Sequence, residues 1–154
     1  MKYLVSFLLI LVGIILLVIK TLVYTMPSDA MMPHIKSGSH LVVISSEYSN
    51  GFLPKNGEVV MYQTYKMDKP AFSRIAGCPG DTLSLNGGLL TLNGNTYKEP
   101  YVDDQEFTIM PQVKVLDGRY FLLNDNRSML SDSRNKDIGR IRKDDIKGRV
   151  VLVF

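Results

Sequence analysis

Hydrophobic residues follow two different patterns along this chain. From Tyr3 to Ile19 they run almost without interruption, YLVSFLLILVGIILLVI, and no charged residue breaks the run. A helix needs ~17–25 apolar residues to cross a bilayer, so this stretch is just long enough. Lys20 follows it, placed to extend its ammonium to the lipid headgroups. After residue 25 the apolar stretches become short: HLVVIS (40–45), EVVMYQ (58–63), AFSRIAG (71–77), DTLSL (81–85), LLTL (89–92), RYFLL (119–123) and GRVVLVF (148–154). They are rich in β-branched, aromatic and leucine residues, which favour strands. Between them lie the turn signals KSGS, PKNG, PGD, NGG, NGN and LDG. The segment SLNGGLLTLNGNTY predicts two successive hairpins. Beyond residue 25 no stretch keeps a helical period for more than two turns. The pattern predicts a membrane anchor at 1–25 and a mainly β domain at 26–154.

A cleaved signal peptide is the rival reading of the first segment. Its apolar region normally runs ~7–15 residues and ends at a small-x-small site. Here the run is longer and leads into KTLVYTMP, which has no such site. An uncleaved anchor is therefore expected. Its orientation is open from charge alone, because Lys2 precedes the run while Lys20 and Lys36 follow it.

Composition narrows the function classes. The roughly 130 residues after the anchor are enough for one hydrophobic core. A net charge of +3 is modest, and basic residues alternate with acids, as in KDIGRIRKDDIKGR (136–149). Arg127, Arg140, Arg142 and Lys143 read as a solvated face, and nucleic acid is not an expected partner. The single cysteine, Cys78, excludes an internal disulfide framework and reads as a small buried hydrophobe. Two separated histidines, His34 and His40, do not make a metal site, and no cofactor is expected.

Three stretches point to a particular chemistry: SDAMMP (28–33), FSRIAGCPGD (72–81) and NDNRSMLSDSRNKDIGRI (124–141), with KGRVVLVF after them. In this order, behind an apolar N-terminal segment, they resemble the type I signal peptidases, membrane-bound Ser–Lys endopeptidases that remove signal peptides. NGNTYKEPY (93–101) resembles a hairpin common in Gram-positive members. The resemblance implies a folded antiparallel β-sheet domain with a reduced insertion. It also implies a single-pass protein of the cytoplasmic membrane with its main domain on the extracytoplasmic face.

In that family a serine attacks the scissile carbonyl after a neutral lysine takes its proton. Burial lowers the lysine pKa by disfavouring the charged form. A second serine orients the lysine, and hydroxyl and N–H groups stabilise the oxyanion. The family's nucleophile position falls on Ala30, its lysine on Ser73 and its orienting serine on Leu130. All three are changed. The surrounding framework matches: Ser28 at the oxyanion position, Met31 and Pro33, then Arg74, Gly77, Pro79, Gly80 and Asp81, then Asp125, Asn126, Asp132, Ser133 and Arg134. Asp132 and Arg134 are expected to form an ion pair that braces the site. His34 and Asn124 depart from the family's usual threonine and glycine.

No other residue replaces the lost chemistry. Ser28 is two residues away, a displacement of ~6–7 Å on an extended segment. The expectation is a catalytically inactive homologue of the kind associated with pilus assembly in Gram-positive bacteria. Such a protein would hold an extended peptide, signal peptide or pilin subunit through Ser28, Met31, Met32 and Pro33, and would work beside a sortase or pilus assembly complex. Leu130 is expected to make the cleft floor more apolar. The same methionines equally suit packing in the core or at the lipid interface. Two alternatives stand beside this one: an active signal peptidase with unusual or engineered site residues, and a structural membrane subunit without peptide affinity.

Overall fold

The apolar run folds as α1 (Lys2–Lys20), and the chain passes directly from it into β1 (Thr21–Thr25). The structure is a computed structural model that describes residues 2–45, 51, 53–102 and 107–154; the side chains of residues 2 and 16–22 lie outside that description. The expected headgroup contact of Lys20 therefore falls outside the described residues. From Tyr3 to Ile15 every residue of α1 is exposed. Among the described residues no helix is long and apolar enough to cross a membrane.

Hydropathy groups Thr21–Thr25 with the anchor. They pair antiparallel with β2 (His40–Ile44), from Thr21 opposite Ile44 to Thr25 opposite His40. The sheet thus begins at Thr21. The segment TLVYT is β-branched and aromatic, which suits an edge strand better than a helix end.

The remaining strands are β3 (Val59–Tyr62), β4 (Ala71–Gly77), β5 (Thr82–Asn86), β6 (Leu89–Leu92), β7 (Asn95–Tyr97), β8 (Met110–Lys114), β9 (Arg119–Leu123), β10 (Ile141–Arg142) and β11 (Ile146–Val153). They form two antiparallel sheets. The larger has the order β1-β2-β11-β3-β4-β9-β10 and the smaller β7-β6-β5-β8. The mainly β, antiparallel architecture read from the sequence is the one observed. The two hairpins of the smaller sheet are also as expected. Asn93 and Gly94 at the second turn both have positive φ, 51° and 82°, as a two-residue hairpin loop of that twist requires.

Strand alternation explains how the core is divided. On β3, Val59 and Met61 belong to one cluster with Met26, Ala30, Met31 and Phe72. Val60 and Tyr62 point the other way and pack with Ile75, Tyr120 and Leu122. Both faces of this central strand are buried. A third cluster, with Ala76, Leu83, Leu85, Phe121 and Leu123, joins the two sheets. Close approach fixes one glycine: a Cβ on Gly148 of β11 would lie 2.8 Å from the Ile44 carbonyl oxygen and 2.6 Å from Val43 Cγ1.

Candidate functional site

Ala30 sits in a single 3-10 turn, Asp29–Met31, that leads from β1 into the core. Ser28 caps it: its Oγ accepts from the Ala30 N–H at 3.5 Å, a long bond. Ala30 is 4% exposed. Its carbonyl accepts from the Asn126 N–H at 3.0 Å, and Asn126 Nδ2 donates to the Asp29 carbonyl at 3.2 Å. These two bonds fasten the turn to the loop after β9.

Ser73 lies in the middle of β4 and is fully buried. Arg74 pairs with Leu123 and Ile75 with Leu122 across β4 and β9, so one step further along the register Ser73 faces Asn124. Ser73 Oγ donates to Asn124 Oδ1 at 2.5 Å. The other end of the Asn124 amide donates to Ser131 Oγ and to the Met129 carbonyl, both at 3.0 Å. Its backbone N–H donates to Asp132 Oδ2 at 2.9 Å. Every polar atom of the Asn124 side chain is thereby engaged, as a buried amide requires.

Of the three positions to which the family resemblance assigns the catalytic groups, Ala30 and Ser73 are buried and Leu130 is not. Leu130 is 59% exposed and lines a groove with Ile109, Val113 and Phe121, rather than the floor of a cleft at Ala30. The hydroxyl turned toward Asn124 belongs to the next residue, Ser131. Met31 is fully buried in the cluster around Ala30, Met32 and Ser28 are half-buried, and Pro33 is exposed. Around the same turn Tyr24 meets Phe72 edge-on, with ring centroids 6.0 Å apart.

Among the described residues, three buried ion pairs lie around these positions. Arg74 holds Asp125 with two bonds, Nε to Oδ1 at 2.8 Å and Nη2 to Oδ2 at 2.6 Å. Its Nη1 donates to the Gly57 carbonyl at 2.7 Å, and the Tyr101 ring covers the guanidinium at 3.7 Å. Arg134 holds Asp132 at 2.7 Å and ties down the carbonyls of Arg127 and Met129. This is the brace expected of the pair. Asp81 accepts from Asn56, Asn93 and the Cys78 N–H, which fixes the turn after β4.

The third pair joins Arg127 to Glu99. Arg127, read from sequence as part of a solvated face, is 2% exposed and donates from Nη2 to Glu99 at 2.6 Å. Tyr101 Oη donates to the same carboxylate oxygen at 3.1 Å. Glu99 and Tyr101 lie in the stretch GNTYKEPY, whose only sequence signal was family resemblance. Burial pushes the Glu99 and Asp125 carboxyls up, although arginine partners pull both the other way. Burial, with Asp132 nearby, raises the Tyr62 phenol to about 12. The Cys78 thiol rises to about 11, again chiefly by burial.

The chemistry available here is limited. An alanine methyl offers no lone pair for attack, and an asparagine amide at the Ser73 hydroxyl is not a base at neutral pH. His34 and His40 are exposed; the His40 ring lies by Phe154 and Thr25, away from Ser73.

A family model described as signal peptidase, peptidase S26, matches residues 1–154. The chain is 32% identical over 149 residues to signal peptidase IB of Staphylococcus aureus, covering 85% of this chain and 76% of that one. It is 30% identical over 142 residues to signal peptidase I P of Bacillus subtilis subsp. natto, covering 85% and 75%. Against the probable signal peptidase I-1 of Synechocystis it is 30% identical over 115 residues, covering 70% of this chain but 58% of that protein. In fold it resembles the crystal structure of a signal peptidase I from Enterococcus faecalis V583, with a TM-score of 0.55 at 22% identity over 65% of this chain and 98% of that one. With a family model matching residues 1–154, the chain belongs to the signal peptidase, peptidase S26, family.

Proposed function

We propose that this protein is a non-catalytic member of the signal peptidase family that binds extended peptide rather than cutting it. It would act as an accessory or chaperone-like factor for signal peptides or pilin subunits in secretion or pilus assembly, beside a sortase or other assembly machinery. The observation that carries this reading is the Ser73–Asn124 hydrogen bond. It puts a closed, neutral network at the base position, while Ala30 leaves the nucleophile position without a hydroxyl. Loss of both groups removes the steps that make and resolve an acyl-enzyme.

Membrane attachment is part of the proposal. The described side chains of α1 are apolar apart from Ser6 and Gly13, and exposed on every side. Leaving them in water costs about 25 cal/mol per Å² of apolar surface, which lipid removes. Val23 and Leu152 both pair with Val42 from opposite sides of β2 and are 62% and 56% exposed. An exposed apolar pair on the sheet, behind an apolar helix that runs directly into β1, suits a single-pass protein whose domain rests on the extracytoplasmic membrane face.

The test is preprotein cleavage in detergent. The native full-length chain is compared with a variant carrying Ala30→Ser, Ser73→Lys, Asn124→Gly and Leu130→Ser, with an active homologue as control. Asn124→Gly belongs in the set because the asparagine fills the space beside Ser73. Inactivity of the native chain with cleavage by the variant supports the reading. Cleavage by the native chain that survives repurification overturns it.

A further inference from the structure

The groove that takes Leu130 lies apart from Ala30 and Ser73 and has features of a peptide seat. Its volume is about 650 Å³, inside the ~300–1,000 Å³ range of ligand sites. One wall is β8, the edge strand of the smaller sheet. The floor and rim are apolar: Ile109, Val113, Phe121 and Leu130. Ile109 is 69% exposed and Leu130 59%, so large aliphatic side chains stand in solvent on both sides of one depression. The opposite wall is the loop after Arg134, which contributes Lys136 and Arg140, both exposed. Asp132, which precedes that loop, is committed to Arg134, and Asp137, between the two cations, is exposed but does not line the groove.

We infer that this groove binds an extended acidic peptide segment, one with apolar residues at alternate positions and carboxylates between or beside them. The inference rests on the reading of the chain as a peptide-binding protein and assigns the binding to a place other than the vestigial dyad. An extended chain laid along an edge strand projects every second side chain to one face. Those side chains would enter between Ile109 and Leu130, and the carboxylates would meet Lys136 and Arg140. Pro111 has no N–H, which limits strand pairing along β8 and discourages edge-to-edge aggregation. Recognition would therefore come from side chains and charge more than from a continuous backbone ladder. A basic or uncharged segment of equal hydrophobicity would lose the second contribution.

The experiment uses the full chain in detergent micelles and fluorescence anisotropy of a short labelled peptide of alternating leucine and glutamate. A leucine–lysine peptide and empty micelles serve as controls. The expected result is saturable binding of the acidic peptide, roughly tenfold weaker for the basic one, and weakened by added salt. The double variant Lys136→Glu, Arg140→Glu should lose roughly tenfold in affinity for the acidic peptide at an unchanged melting temperature, because both side chains are exposed. Equal binding of both peptides, or indifference to the charge reversal, overturns the inference. Concentration-dependent self-association abolished by Leu130→Asp also overturns it, by assigning the groove to a second copy of the chain. Preprotein cleavage is measured on the same preparation. Failure of groove binding without cleavage refutes the groove alone, whereas cleavage refutes the non-catalytic reading.

Discussion

Ser73 on β4 and Asn124 at the end of β9 are cross-strand neighbours, and the serine hydroxyl donates to the asparagine carbonyl oxygen at 2.5 Å with both residues fully buried. The two residues belong together. A serine alone at position 73 would leave a buried hydroxyl in search of an acceptor, and an asparagine alone at 124 would leave an unmet amide. Together they satisfy one another, and Ser131 and the Met129 carbonyl satisfy the rest.

This coupling predicts non-additive mutants. Ser73→Lys in the native background should cost ~2–4 kcal/mol, because it forces a charge and extra volume into a filled site. Asn124→Gly alone should also destabilise by removing partners of Ser73 and Ser131. The double variant should lose less than the sum of the two by at least ~1 kcal/mol. Urea unfolding of the four proteins checks this, and strictly additive losses would show that residue 124 does not fill the lysine's space.

Truncating Glu99 should be more damaging than its position in the connection after β7 suggests. Glu99→Ala leaves the buried Arg127 Nη2 without the carboxylate oxygen that accepts from it, a loss of ~1–3 kcal/mol. Arg127→Met combined with Glu99→Leu should recover much of that stability, since the desolvated charges are removed together. Thermal unfolding monitored by circular dichroism distinguishes the two outcomes; equal losses in both variants would argue against an electrostatic cause.

The pH dependence of stability follows from the same burial. Glu99 and Asp125 have folded-state pKa values raised first by desolvation. The folded chain therefore keeps protons that the unfolded chain releases near pH ~4. The stability these groups contribute is greatest below that value and falls as pH rises through their folded-state pKa values, then stays level. Glu99→Gln removes one titrating group, so the stability gap between native protein and variant should narrow from pH 4 toward neutrality. A gap that widens would mean that Arg127 outweighs desolvation.

Gly148→Ala tests the packing of β11 on β2. The new methyl would press on the Ile44 carbonyl oxygen, a backbone atom that cannot rotate aside. A loss of ~1–3 kcal/mol is expected, read as a lower urea midpoint at unchanged slope. No loss would mean that the register shift between Ile146 and Gly148 absorbs the methyl.

Much of this protein was legible without coordinates. Alternation and turn residues marked β2 to β6, β9 and β11, because each is a half-buried or buried strand bounded by a hairpin signal. The motif boxes also paired Asp132 with Arg134, and that ion pair is formed, because the two residues lie close in sequence. What escaped depended on neighbours distant in sequence. β8 carries a proline and polar residues that only an edge position tolerates. TLVYT looked like the end of a membrane run until its partner β2 drew it into the sheet. Arg127 has the composition of a surface residue; Glu99, 28 positions away, is what makes its burial possible. Leu130 is a cleft residue by motif position, yet the path of its loop turns it outward and brings the Ser131 hydroxyl to Asn124. Local chemistry is written along the chain, whereas burial and charge pairing are set by which strands meet, and those contacts exist only once the sheets close.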